Sequence, residues 1–136
     1  MIAVDTSALI AILANEPQAP SCRKIFESEE LILVSAGTVL EALIVAARRG
    51  MSNQMSTILS AITVKIVDVT LARAELAASA YRSWGKNFHA ASLNFGDCFS
   101  YATAREFDCP LLFIGNDFSR TDIVSAIPPP RPNETL

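Results

Sequence analysis

The sequence predicts an α/β protein built on a mostly parallel sheet. Short apolar runs such as 111–114 show no alternation of apolar and polar residues, as in strands that are buried on both faces. Helical patterns lie between these runs, and strands that alternate with helices favour parallel pairing. The chain has 136 residues, of which 51% are hydrophobic and 18% are charged. We therefore expect one domain with a large core, and a dimer in which the first helices meet.

The first strand and the first helix open the chain. Ile2–Val4 is a short apolar run, and Asp5, Thr6 and Ser7 then lead into a helical pattern that ends near Leu13. Further helices are predicted over about 20–27, from the turn at 35–38 through 49, and over about 52–62, 71–84 and 98–107. Further strands are predicted over 31–34, 64–67 and 111–114.

The long helix that ends at Arg49 carries one broad apolar stripe, which is typical of a face packed against a core. The stripe consists of Val39, Leu40, Leu43, Ile44 and Ala47. Glu41 interrupts this otherwise aliphatic stretch, so solvation alone explains it poorly. Gly50 ends the helix.

The domain is predicted over 1–127, and the Pro-rich segment 128–136 is expected to be an extended or disordered tail. No apolar run is long enough to cross a bilayer and no positively charged leader precedes one, so we expect a cytoplasmic protein. The cysteines lack CxxC spacing, which favours Cys22 and Cys98 as small buried hydrophobes over a disulfide or zinc site. A net charge of −3 argues against a general nucleic-acid binder, unless the acids are gathered in one metal-neutralised pocket.

Four acidic residues stand at comparable places. Asp5 follows the first strand, Asp117 follows the last one, Asp97 opens a helix and Glu41 lies early in the long helix. Because right-handed crossovers return strand ends to the same edge, we expect these side chains to meet there. Clustered carboxylates repel one another unless a cation such as Mg²⁺ lies among them. Each acid also has a structural interpretation, as a helix cap, a turn former or a solvated residue.

Four blocks of the sequence resemble, in order, the signatures of PIN-domain ribonucleases, most closely the VapC-type toxins of bacterial type II toxin–antitoxin pairs. The blocks are Val4–Ala8, Glu41 within Leu-Glu-Ala, Leu93–Cys98 and Leu112–Ile123. The resemblance implies a PIN-like three-layer α/β/α fold with a mostly parallel sheet of four to five strands. It also implies a Mg²⁺- or Mn²⁺-dependent endoribonuclease that hydrolyses RNA phosphodiester bonds, forms a homodimer and is silenced by a small antitoxin, in a hetero-oligomer with it.

Residue roles follow from the same resemblance. The catalytic, metal-binding residues would be Asp5, Glu41, Asp97 and Asp117. Side chains that hydrogen-bond the metal ligands or the substrate phosphate would be Thr6, Ser7, Asn116, Ser119 and Thr121. Lys86 and Arg120 flank the acidic segments and are the favoured phosphate contacts. Ile114 stands where many relatives have Lys, and Asn116 where they often have Asp.

Two other kinds of protein that begin with a strand and an Asp fit poorly. A haloacid dehalogenase phosphatase needs a second Asp two residues after the first, and that position is Ser7. A response-regulator receiver needs a pair of adjacent acids early and a Lys after the last strand, and the sequence has neither. P-loop and Rossmann glycine motifs are also absent. A PIN-fold module that binds RNA or protein without cutting stays open as the alternative to an enzyme.

Overall fold

The computed structural model describes residues 1–129, which form a four-stranded sheet with the order β3-β2-β1-β4. The strands are β1 (Ile2–Val4), β2 (Ile32–Ser35), β3 (Val64–Val67) and β4 (Leu111–Leu112). The helices are α1 (Thr6–Leu13), α2 (Ala19–Ser28), α3 (Ala36–Arg48), α4 (Ser52–Leu59), α5 (Leu71–Trp84) and α6 (Phe95–Glu106). The predicted α/β class and parallel sheet are confirmed. Most of the predicted tail, from 130 onward, lies outside the described residues.

The central strand β1 pairs in parallel with β2 on one side and with β4 on the other. Val4 lies opposite Leu112, and the backbone N–H of Asp5 donates to the Leu112 carbonyl at 3.0 Å. β4 ends two residues earlier than the predicted run to Ile114. The chain segments that follow β1 and β4 therefore leave the sheet side by side at its carboxyl edge.

Side chains of the strands alternate between two apolar cores, as the pleat of a strand requires. On one face Val4, Ile32 and Val34 pack with α1, α2, α3 and α4. On the other face Ala3, Leu33 and Leu111 pack with α5 and α6. The sheet is thus the middle layer of an α/β/α sandwich. In residues 1–129 no helix combines the length and the apolar character needed to span a membrane.

Helix α3 does not bury the apolar stripe that its sequence predicts. Thr38, Ala42 and Ala46 face the core, whereas Leu40 and Ile44 are 61% and 52% exposed. Small side chains on the inner face allow α3 to pack closely against its neighbours, which leaves the larger aliphatic side chains outside. The prediction of a core-facing stripe is therefore wrong at these positions. The buried states of Cys22 and Cys98 are as predicted, and both thiols are free.

Candidate active site

Asp5 lies at the end of β1 and caps the N-terminus of α1. Its Oδ2 atom accepts hydrogen bonds from the Ser7 backbone N–H at 3.1 Å and from the Ser7 hydroxyl at 2.7 Å. Its Oδ1 atom accepts one from the Ser100 hydroxyl at 2.5 Å, and Ser100 lies 3.2 Å from the Thr38 hydroxyl. Asp5 is only 4% exposed. Donors from two helices, α1 and α6, therefore hold this carboxylate in one orientation, and Thr38 of α3 contacts the Ser100 hydroxyl behind it.

Asp97 lies in the first turn of α6, which begins at Phe95 rather than at the predicted Cys98. Asn94 caps the helix: its side-chain oxygen accepts from the Asp97 N–H at 2.9 Å, and the Asp97 carboxylate accepts from the Asn94 N–H at 3.0 Å. This reciprocal capping box stabilises the first turn. The cap is thus Asn94, and Asp97 is a buried acid three positions inside the helix.

Glu41 reaches the same place from α3. A Cβ atom at Gly96 would lie 2.7 Å from the Glu41 Cδ atom and 2.9 Å from its Oε1 atom, which is inside van der Waals contact. The glycine therefore allows the carboxylate to rest directly on the backbone of α6, one residue before Asp97. This contact places Glu41 in the cluster, although it lies on a helix and not at the end of a strand.

Asp117 belongs to the exposed loop that follows β4. The loop is anchored by Phe118, whose side chain is 1% exposed and packs edge-on against Phe113 with ring centroids 5.1 Å apart. The Ser119 hydroxyl donates to the Asn116 carbonyl and the Thr121 hydroxyl to the Phe118 carbonyl, each at 2.7 Å. These side chains fix the shape of the loop, so they position Asp117 rather than contact the other acids.

The four acids form one electrostatic unit. The pKa of Asp97 is raised from 3.8 to about 7, mainly because burial disfavours the charged carboxylate. The nearby charges of Asp5, Asp117 and Glu41 raise it further, against the hydrogen bond from Asn94, which lowers it. The structure therefore brings all four sequence-predicted acids to the carboxyl edge of the sheet.

The two hydroxyl residues after Asp5 differ in their surroundings. The Ser7 hydroxyl donates to Asp5 and accepts the Ile114 N–H at 3.0 Å, which ties the segment after β4 to the start of α1. The Thr6 hydroxyl is buried, and no group in residues 1–129 hydrogen-bonds it. A buried hydroxyl without a partner is costly, so a water or a ligand oxygen is the natural partner of Thr6.

The two residues predicted to contact phosphate, Lys86 and Arg120, are both exposed at the protein surface. Lys86 is exposed in the loop after α5, and within the described residues it forms no ion pair. Arg120 is exposed in the Asp117 loop and donates to the Ala90 carbonyl at 3.5 Å. Within residues 1–129 neither cation forms an ion pair with a carboxylate, so both can bind an anion.

Sequence reasoning missed four residues that shape the site: Thr38, Asn94, Gly96 and Ser100. The Asn three residues before Asp97 is a capping-box pattern that could have been found. The other three could not, because each acts across a contact between elements far apart in the sequence.

A divalent cation fits the chemistry of this cluster. Its donors are carboxylate and hydroxyl oxygens, which Mg²⁺ and Mn²⁺ prefer, and the mutual repulsion of the acids is what a cation relieves. Within residues 1–129 no three Asp, Glu, His or Cys side chains form a ready-made metal cage. An ion held by only one or two carboxylates is compatible with this arrangement, because Mg²⁺ commonly keeps several of its waters.

The fold and the acidic edge define a class, that of three-layer α/β proteins with an oxygen-ligand site at the ends of parallel strands. The PIN domain model matches residues 2–124. Ribonuclease VapC30 of Mycobacterium tuberculosis is 41% identical over 129 residues, covering 93% of this chain and 98% of that protein. Ribonuclease VapC of Mycolicibacterium smegmatis is 38% identical over 125 residues, covering 90% and 97%. The chain belongs to the PIN-domain family, in its VapC ribonuclease branch.

Two solved structures share the fold. Mycobacterium tuberculosis VapC20, described as a toxin that cleaves the sarcin–ricin loop, superposes with a TM-score of 0.79 at 21% identity and covers 94% of this chain and 100% of that one. A toxin–antitoxin complex from Klebsiella pneumoniae gives a TM-score of 0.72 at 19% identity and covers 93% and 97%. These two structures confirm the fold, and the family match over residues 2–124 confirms the resemblance to PIN-domain proteins found in the sequence.

Proposed function

We propose that this protein is a divalent-metal-dependent endoribonuclease that acts as the toxin of a toxin–antitoxin pair in the cytoplasm. The observation that carries the proposal is the convergence of Asp5, Glu41, Asp97 and Asp117 from four separate elements. The names of the relatives, which are VapC ribonucleases, support RNA as the substrate.

In this proposal Asp5 and Asp97 hold Mg²⁺ or Mn²⁺, with Asp117 and Glu41 as further ligands or as groups that orient water. When bound there, such an ion would supply activation of a water at neutral pH and stabilisation of negative charge on the phosphate. Ser100 and Ser7 keep Asp5 oriented by donating to both of its oxygens. As a ligand Asp97 would have to be deprotonated, and its pKa of about 7 in the metal-free protein means that ion binding would be coupled to proton release near neutral pH.

The substrate meets the site through the groups around the acids. Lys86 and Arg120 attract the RNA phosphates, because both cations are exposed beside the acidic segments. The Thr6 hydroxyl, which is buried without a partner in residues 1–129, donates to a water or to a phosphate oxygen. Asn116 and the hydroxyls of Ser119 and Thr121 hold the Asp117 loop in the shape that this arrangement needs.

The test is cleavage of labelled single-stranded RNA by the purified protein with Mg²⁺ or Mn²⁺. We expect Asp5→Asn and Asp97→Asn to abolish cleavage while circular dichroism shows an unchanged fold. Asp108→Asn is the matched control, because Asp108 is exposed beyond the opposite end of α6. Equal cleavage by wild type and both site variants would refute the proposal. RNA binding without any cleavage would instead favour a non-cleaving module.

We also propose a homodimer and a small antitoxin as protein partners. The exposed α3 stripe (Leu40, Leu43, Ile44 and Ala47) is an apolar surface suited to a second copy. The first helices are less suited than expected from the sequence, because α1 is buried from Ala8 to Ile12. We expect Ile44→Glu to give a monomer in sedimentation and the control Leu71→Glu to leave the dimer intact. A wild type that is strictly monomeric would refute the dimer.

The antitoxin is supported by the toxin–antitoxin complex whose fold this chain shares. An antitoxin that silences the site is expected to bind near the acids and to bring a positive charge to them. Co-expression with the neighbouring small reading frame, followed by co-purification, tests this partner. Failure of every adjacent small protein to co-purify would count against it.

A further inference from the structure

An apolar groove of about 650 Å³ opens between α5 and α6, and its volume is in the range of small-ligand sites. It is lined by Ala78, Tyr81, Lys86, Asn94, Phe95 and Phe99, among others. Phe95 is 79% exposed although it is a large aromatic residue in the first turn of a helix. Its ring meets Phe99 edge-on with centroids 5.1 Å apart, so it is held in place while most of its surface is free.

The groove adjoins the acidic cluster. Asn94, which caps the helix and binds Asp97, is also part of the groove wall. Phe95 and Asp97 are two residues apart, which is about 3 Å along the helix axis and roughly 200° around it. The two side chains thus lie on nearly opposite sides of the first turn of α6. An RNA strand that crosses the end of the helix can present a phosphate on the Asp97 side and an adjoining base on the Phe95 side.

The charge of the groove selects its occupant. Among the residues of 1–129 that line the groove, Lys86 is the only charged one, and it is positive. An aromatic platform beside a single cation is what single-stranded nucleic acid requires, because bases stack on aromatic rings while cations hold the phosphates. An apolar protein segment needs neither the lysine nor the flat ring.

We propose that this groove binds one unpaired nucleobase of the RNA next to the scissile phosphate, with Phe95 as its stacking surface and Lys86 as a contact to the adjoining phosphate. The inference rests on the proposed ribonuclease function. It deepens that function by assigning a subsite for one base of the RNA to this groove, where part of the base selectivity arises.

The test measures binding, not cleavage. Fluorescence anisotropy is followed for a labelled single-stranded RNA hexamer and for a matched hexamer that lacks bases, both with Mg²⁺ in an Asp97→Asn background. We expect Phe95→Ala to weaken binding of the normal hexamer by about 5- to 100-fold, and of the abasic hexamer by less than about twofold. Lys86→Met is expected to weaken binding of both hexamers by the same factor, since it contacts only phosphate.

Three further variants separate stacking from apolar contact. Phe95→Tyr keeps the flat ring and should bind like the parent, whereas Phe95→Leu keeps apolar area without a ring and should bind as weakly as Phe95→Ala. Leu71→Ala is the control, because Leu71 is 78% exposed on α5 and does not line the groove. Thermal unfolding checks that each variant is folded.

Several results would overturn the proposal. One is an equal loss of affinity for the normal and the abasic hexamer in Phe95→Ala. Another is no measurable binding of the normal hexamer by the parent protein, and the last is unchanged affinity in Phe95→Leu. The last result would indicate a groove for an apolar segment of a protein partner. Base-dependent binding without cleavage by the wild type would refute the ribonuclease function alone, and cleavage without base-dependent binding would refute only the groove.

Discussion

Removing the charge of Asp97 should stabilise the metal-free protein, and the effect should depend on pH. Burial and three neighbouring acids raise the pKa of this carboxyl from 3.8 to about 7 in the folded state. Each pKa unit corresponds to about 1.4 kcal/mol, so the ionised form costs roughly 4 kcal/mol as an upper value. Asp97→Asn removes this cost and keeps an oxygen that can accept the Asn94 N–H.

The direction of this pH dependence follows from the number of protons that the folded and unfolded states bind. Between pH 4 and pH 7 the folded protein holds a proton on Asp97 that the unfolded chain has released, so its stability falls as pH rises through this window. Below pH 4 both states are protonated and the penalty is absent. Asp97→Asn should therefore match the wild type near pH 4 and exceed it by roughly 2–4 kcal/mol at pH 8.

Urea unfolding in EDTA at pH 4 and pH 8 measures the difference in free energy of unfolding between the wild type and Asp97→Asn. Asp108→Asn is the control for loss of an exposed charge. Mg²⁺ should then stabilise the wild type at pH 8 and not Asp97→Asn, because binding to the folded state alone raises stability. A stability difference that is the same at both pH values, or an Asp97→Asn protein less stable than wild type at pH 8, would refute the reasoning.

Three more predictions concern residues around the acids. Gly96→Ala should lower the free energy of unfolding in urea by about 1–3 kcal/mol, because the new Cβ atom would overlap the Glu41 carboxylate. Adding Glu41→Ala should restore the stability, and a double variant without this rescue would contradict the contact. Phe118→Ala should lower the free energy of unfolding by about 3–5 kcal/mol in the same assay, because it removes a fully buried ring. A decrease under about 1 kcal/mol would show that this side chain does not anchor its loop. Ser100→Ala should weaken Mn²⁺ binding by about 10- to 100-fold in calorimetry, because Asp5 loses a donor; unchanged affinity would separate Ser100 from the site.

The order of strands and helices could be predicted because each strand is a short, mostly apolar run and the apolar residues of the helices recur at helical spacing. β3 and α5 begin and end where the sequence places them. The start of α6 was missed because Asn94, not Asp97, caps it. The inner face of α3 was missed because Ala42 and Ala46 are small, and the larger side chains suggest the opposite orientation.

The candidate site was predictable only in part. Asp5 and Asp117 follow neighbouring parallel strands, so topology alone brings them to one edge. Glu41 lies within helix α3 and not at the end of a strand. It reaches the site through a contact with Gly96 of α6, and the sequence near Glu41 does not predict this contact. The bond from Ser100 to Asp5 joins residues 95 positions apart, and such pairs arise from helix packing rather than from a motif.

The most direct test of the account is a crystal structure of the protein with Mn²⁺, with the metal located by its anomalous scattering. The account predicts a Mn²⁺ peak whose protein ligands include the carboxylates of Asp5 and Asp97, at the carboxyl edge of β1. A structure grown at saturating Mn²⁺ with the metal bound elsewhere, or with no peak between these two side chains, would contradict it.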